Sequence, residues 1–87
     1  MAAIDIANCT VAVLTPLSGV NLWSIVTPAT ADSADTVDVS TVASSVYSCS
    51  VLAATDGLIT GAVSSAGVVT LPGATADEAR TIYIFGK

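Results

Sequence analysis

The carboxylates are the side chains with the most evident chemical use. Asp32, Asp35 and Asp38 recur at every third position. Closely spaced carboxylate oxygens are what a hard cation such as Ca²⁺ takes as ligands. The alternating D-x-[DN]-x-[DN]-G loop is absent, however, and no bidentate Glu follows. The three acids therefore read as a solvated loop that could meet a basic partner surface. Asp77, Glu78 and Arg80 form a second group. Paired carboxylates in a cleft can exchange protons with a substrate. Neighbouring acids in a loop point apart, though, and Arg80 can pair with either or reach a neighbouring subunit. An exposed pair of this kind contributes little.

The nucleophiles are less promising. Cys9 and Cys49 are the only cysteines, they form no CxxC pair, and the chain contains no histidine. A reactive thiolate needs a base or cation beside it, and two cysteines without histidine make no zinc site. Two separate buried thiols and a disulfide linking two strands both remain open. Serine and threonine abound, yet no GxSxG or SxxK sequence occurs. Lys87 is terminal. The expectation is a non-enzymatic protein with no catalytic residue, cofactor or metal.

Composition narrows the classes further. Seven acids against Arg80 and Lys87 leave a net charge of −5 over 87 residues. Two cations cannot neutralise a phosphate backbone, so nucleic acid is not an expected partner. The longest uncharged stretch, residues 6–31, is interrupted by Pro16, Gly19 and Pro28 and by recurring Ser and Thr. It alternates as strands do, so a membrane helix is not expected. No cationic segment precedes an apolar one at the N-terminus, which makes cytosolic synthesis the expectation.

Only 10% of the residues are charged and 53% are hydrophobic. Small soluble domains usually carry about 25–35% charged residues on their surface. A domain of this length also buries little more apolar area than its ordering entropy requires. Both points lead to one expectation, that other protein chains cover much of the surface.

These residues must be positioned mainly by strands. Val, Ile and Thr are abundant, while Glu, Lys and Arg occur once each. Period-two alternation and turn residues predict strands over residues 3–14, with a phase shift near Asn8, and over 20–27, 36–39 and 46–55. Further strands are predicted over 58–63, 68–71 and 80–85. Thr15 to Gly19 reads as a turn, residues 40–45 as a turn or one helical turn, and Asp56-Gly57 as a tight turn. Residues 58–63 and 68–71 read as a hairpin about residues 64–67. Tyr47, Cys49, Val51 and Ala53 form the more apolar face of their strand and are expected in the core. Ile82 and Ile84 share one face of the last strand, with Thr81, Tyr83 and Phe85 on the other. The predicted fold is a single all-β domain over residues 1–87, a small antiparallel β-sandwich or barrel of about seven short strands.

Trp23 is the sole tryptophan and reads as a core residue or an interface anchor. Tyr47 and Tyr83 read as core-edge or interface residues. Leu22, Trp23, Tyr47, Arg80, Tyr83 and Phe85 are the expected contacts with other chains. A glycan platform would need two or three coplanar exposed rings, from only four aromatic residues.

The stretch SSVYSCSVLAATDGLITGAVSSAGVVTLPGATADEARTIYIFGK runs as strand, short turn, hairpin, small acidic loop and final hydrophobic strand. In composition and order of elements this C-terminal half resembles small phage virion proteins of the capsid decoration (cement) or head-associated kind. The resemblance implies a β-rich structural protein bound to the outer face of a capsid, where it clamps neighbouring major capsid subunits. It implies homo-oligomers, with trimers at three-fold positions as the expected form, and a virion location. Tail-tube or connector components share such a composition. A β-sandwich module binding glycans or a host surface is the rival reading.

Overall fold

β-branched residues dominate the interior because their stiff side chains suit a pleated, half-buried surface. The computed structural model describes residues 3–17, 20–32, 34–53, 55, 57–64, 66–72 and 77–87. Nine strands lie among them: β1 (Ala3–Ile4), β2 (Thr10–Leu17), β3 (Val20–Val26), β4 (Thr36–Asp38), β5 (Val46–Ala53), β6 (Gly57–Thr60), β7 (Ala62–Val63), β8 (Val68–Thr70) and β9 (Arg80–Gly86). They form a four-stranded sheet in the order β1-β4-β8-β7 and a five-stranded sheet in the order β2-β3-β9-β5-β6. Every pairing is antiparallel except β1 with β4. The fold is a small β-sandwich. Between the sheets lie Trp23, Ile25, Cys49, Val51, Ile82 and Ile84 from the larger one and Val37 and Val69 from the smaller, with Val39 and Leu71 from adjoining segments.

Two expected strands each divide, which turns seven into nine. The phase shift near Asn8 is a 3-10 turn over Ile6–Asn8, capped by Asp5, whose Oδ1 accepts the Ala7 N–H at 3.0 Å. It passes the chain from β1 in one sheet to β2 in the other. Residues 58–63 divide at Gly61. β6 pairs with β5, whereas β7 pairs with β8. A Cβ on Gly61 would stand 2.6 Å from the Cys49 Sγ, so only glycine lets the chain cross so close to the core. The predicted hairpin about residues 64–67 holds for β7 and β8 alone, with the Gly67 N–H donating to the Ser64 carbonyl.

Two local expectations are corrected. Thr15, Pro16 and Leu17 are extended and pair with Leu22, Asn21 and Val20; the rest of the expected turn, residues 18–19, lies outside the described residues. An edge strand tolerates proline because its missing N–H has no partner to lose. Tyr47 points outward and is 57% exposed. The register slips between Val46 and Ser48 against β9, and that extra residue reverses the side-chain phase. Cys49, Val51 and Ala53 face inward as predicted. Of the Asp56-Gly57 turn, Asp56 lies outside the described residues, and Gly57 has φ +77°, a conformation that glycine adopts without penalty.

Candidate functional site

The acids and Arg80 do meet at one end of the sandwich. Arg80 opens β9 on the inward phase shared by Ile82 and Ile84, and its side chain is 0% exposed. The guanidinium donates through Nη1 to the Ala31 carbonyl at 2.9 Å and the Glu78 carbonyl at 3.1 Å, and through Nε to the Pro72 carbonyl at 3.2 Å. The Arg80 N–H donates to the Thr27 Oγ1 at 2.8 Å. Asp35 is buried and its Oδ2 accepts the Asp32 N–H at 2.9 Å, while the Asp32 Oδ1 accepts the Asp77 N–H at 2.8 Å. Glu78 accepts from the Thr55 N–H and, at 2.6 Å, from the Thr55 hydroxyl.

These contacts pin the loops at one end of the larger sheet. Backbone carbonyls of three segments accept from the guanidinium, and Asp32 and Glu78 accept backbone N–H groups. The cluster thus does the work of loop anchoring. Asp38 stands apart, exposed on β4, where its Oδ1 accepts the Ser40 N–H at 2.9 Å. Hydrogen bonding from the Ser40 side chain first, and from its N–H second, holds the Asp38 carboxyl below its ordinary value. No group of three metal-ligating side chains occurs among the described residues.

Both cysteines are free thiols. Cys49 sits in the core, and burial pushes its thiol up to about 11. Cys9 is half-buried and shifted upward by burial and by the charge of Asp5. Both shifts oppose the thiolate. A folded-state value above the ordinary 9.0 means that Cys49 adds stability below pH ~9, where both states hold the proton. That contribution fades as pH rises through about 11, because the unfolded chain gives up its proton first. We therefore expect alkylation by iodoacetamide at pH 8.5 to label Cys49 far more slowly in the folded protein than in urea. Equal rates in the two states would show that the thiol is not enclosed.

The outer face of the five-stranded sheet has the opposite character. Residues directly opposite on neighbouring strands share a face, so the registers define its rows. One row is Leu22, Phe85 and Ser48. The next is Ala12, Ser24, Tyr83, Ser50 and Thr60. The third is Thr10, Val26, Thr81, Leu52 and Leu58. None of these residues is charged. Leu58 is 65% exposed, and Val26, Leu52 and Phe85 are also exposed. Tyr47 packs edge-on against Phe85, with ring centroids 6.5 Å apart and planes at 70°. That inclination is not the coplanar platform on which a sugar ring stacks. Two apolar rows flank a central row of smaller, mostly hydroxyl-bearing residues.

Of the six expected interface residues, Leu22, Tyr47, Tyr83 and Phe85 belong to this face or its border. Trp23 and Arg80 do not. Trp23 is buried at 8% exposure and Arg80 is fully enclosed, because both lie on inward phases of their strands. The expectation that these two contact other chains is corrected. Val26, Leu52 and Leu58 escaped the sequence reading. The signal for Leu52 was present, since the alternation that sends Val51 and Ala53 inward sends Leu52 outward, and Leu58 follows from the pairing of Leu52 with Leu58.

One groove runs past Ser40, Ser44, Tyr47 and Ser64, and no carboxylate, amine or thiol lines it. No helix among the described residues is long and apolar enough to cross a membrane. Comparison with protein-family models, with curated proteins and with solved structures finds no match to this chain.

Proposed function

We propose that this chain is a structural, non-enzymatic virion protein of the capsid-decoration kind, which lays the outer face of its five-stranded sheet on the exterior of a shell of major capsid subunits. The observation that carries the reading is that face: five strands wide, free of charge, with Val26, Leu52, Leu58 and Phe85 left exposed by the chain itself and Leu22 half-buried beside them. At strand spacings of about 4.8 Å and a rise of about 3.3 Å per residue it presents on the order of 400 Å² in projection. Laid against a partner it would bury on the order of 800 Å² in total, below the about 1,000 Å² that a stable specific interface clears.

A single contact of that size is weak. Many copies on a repeating surface compensate, because linked contacts add avidity. A protein that binds the assembled shell and not its dissociated subunits stabilises the shell by mass action. Catalysis finds no support in the anchored carboxylates or the upward-shifted thiols.

The test is cosedimentation of the purified chain with shells of the major capsid protein encoded in the same genome. Saturable binding at a fixed ratio is expected. The variant Leu58→Asp should bind at least ten-fold more weakly while its circular dichroism stays that of wild type, since Leu58 is 65% exposed on the edge strand β6. A folded wild-type chain that stays in the supernatant at saturating shell concentration would overturn the reading.

A further inference from the structure

The five-stranded sheet has a second uncovered feature, its long edge. Among the described residues β2 pairs with β3 alone. The Thr27 N–H donates to the Arg80 carbonyl at 2.8 Å, so the odd-numbered residues of β3 bond toward β9 and the even-numbered ones toward β2. On β2, Thr10 and Ala12 oppose the even-numbered Val26 and Ser24. The N–H and C=O groups of Val11 and Val13 therefore point away from the sheet, along its free edge. Their side chains are exposed as well, at 41% and 54%. They lie on the phase that elsewhere faces the core, beyond the cover of the smaller sheet.

Edges of this kind are normally guarded by a charge, a proline or a bulge. Residues 6–31 carry no charge at all. The bulge falls between Val13 and Thr15 and the proline at position 16, so the guards protect only the second half of β2. Residues 10–13 are left as a regular, neutral and apolar template.

We infer that this segment pairs antiparallel with the same segment of a second copy about a two-fold axis at Ala12. Two-fold symmetry demands that residue i meet j and j meet i. With Val11 opposite Val13 of the second copy, each pair exchanges both its N–H and its C=O, and all the outward groups of both valines are satisfied. Pairing Val11 with its own equivalent would carry Val13 beyond the start of the strand, and pairing Val13 with its equivalent would carry Val11 into the bulge. The chosen register also gathers four valines on one side of the joint and makes one sheet of ten strands. At about 3.3 Å per residue and a sheet thickness of about 10 Å, six residues cover on the order of 200 Å² per copy. A standard partner surface is about 800 Å². The pair is therefore a weak one that forms where copies are crowded. It uses a different surface from the proposed shell contact and does not depend on it.

Disulfide trapping of the purified chain, without shells, reads this directly. Ala12 would lie opposite its own equivalent at a non-hydrogen-bonded site, where Cα atoms are about 4.5 Å apart, within the range a disulfide spans. In a Cys9→Ser background, Ala12→Cys should form covalent dimers under mild oxidation at least ten-fold faster than Thr60→Cys, which sits on the opposite edge strand. Adding Val13→Lys should slow the Ala12→Cys reaction at least ten-fold. Circular dichroism should remain unchanged, because that side chain is already more than half exposed. Equal trapping at positions 12 and 60 would overturn the proposal. So would faster formation of mixed 12–60 dimers, since that head-to-tail joint closes rings or fibres, trimers among them, instead of two-fold pairs.

Discussion

Replacing Arg80 with alanine should destabilise the protein by about 3–5 kcal/mol, comparable to breaking a buried ion pair or emptying a large core site. Arg80 is among the largest fully buried side chains of the molecule, so truncation leaves a cavity. It also leaves polar groups without their donor. The guanidinium holds the carbonyls of Ala31, Pro72 and Glu78, three segments that no strand pairing ties together. The Ala31 carbonyl keeps the Glu78 N–H at 3.0 Å, but the Pro72 and Glu78 carbonyls lose this buried, charge-assisted donor. A domain of this length has a total stability of about 4–13 kcal/mol, so the variant should lie near its unfolding threshold.

Two companion variants separate volume from hydrogen bonding. Arg80→Met fills most of the space without a donor, and Arg80→Lys keeps the charge without the planar fork that reaches several carbonyls at once. If the anchoring role is right, both remain destabilised by about 2 kcal/mol or more, since a buried acceptor left unsatisfied costs about 1–3 kcal/mol. Urea unfolding followed by Trp23 fluorescence measures all three. An Arg80→Ala midpoint within error of wild type would refute the anchoring role.

How far these features could be read from the sequence depends on whether side-chain pattern or backbone geometry decides them. The alternation in residues 49–53 and 80–85 orients two central strands, and the structure agrees residue by residue. Arg80 shows the same rule working against intuition. Its charge and its acidic neighbours suggest a surface pair, yet its phase with Ile82 and Ile84 sends it inward. Tyr47 fails for a different reason. The extra residue between Val46 and Ser48 is a property of pairing with β9, and no local pattern encodes it. Pro16 three positions before Gly19 resembles a turn from within the sequence. It is harmless in a strand because, among the described residues, β2 has no neighbour on its outer side. The sheet switch at Gly61 likewise depends on the distant Cys49. The candidate surface was half legible, since Leu22, Tyr83 and Phe85 follow from alternation. Leu58 required knowing which strand β6 joins.

Gly86 is where backbone geometry decides most sharply, and Gly86→Ala should cost about 3–5 kcal/mol, at the upper end for a single substitution. Gly86 closes β9 opposite both Asn21 and Val46. Immediately beyond it, Ser45 and Lys87 exchange backbone hydrogen bonds at 2.8 and 2.9 Å. A Cβ on Gly86 would overlap the Ser45 carbonyl oxygen and lie 3.1 Å from the Val46 Cα. These are backbone atoms, so no rotamer change relieves the clash. The strands must separate, and separation breaks the Ser45–Lys87 pair and opens the end of the core beside Ile84. The contrast with Gly61 makes the point testable. There an added methyl meets chiefly the Cys49 side chain, so Cys49→Ala should recover most of the loss in Gly61→Ala. No side-chain truncation nearby should recover Gly86→Ala, and Ser45→Gly in particular should not, because the carbonyl remains. A Gly86→Ala protein that unfolds within about 1 kcal/mol of wild type would mean that β5 and β9 part there without cost, and that the strand end is not held as tightly as its hydrogen bonds imply.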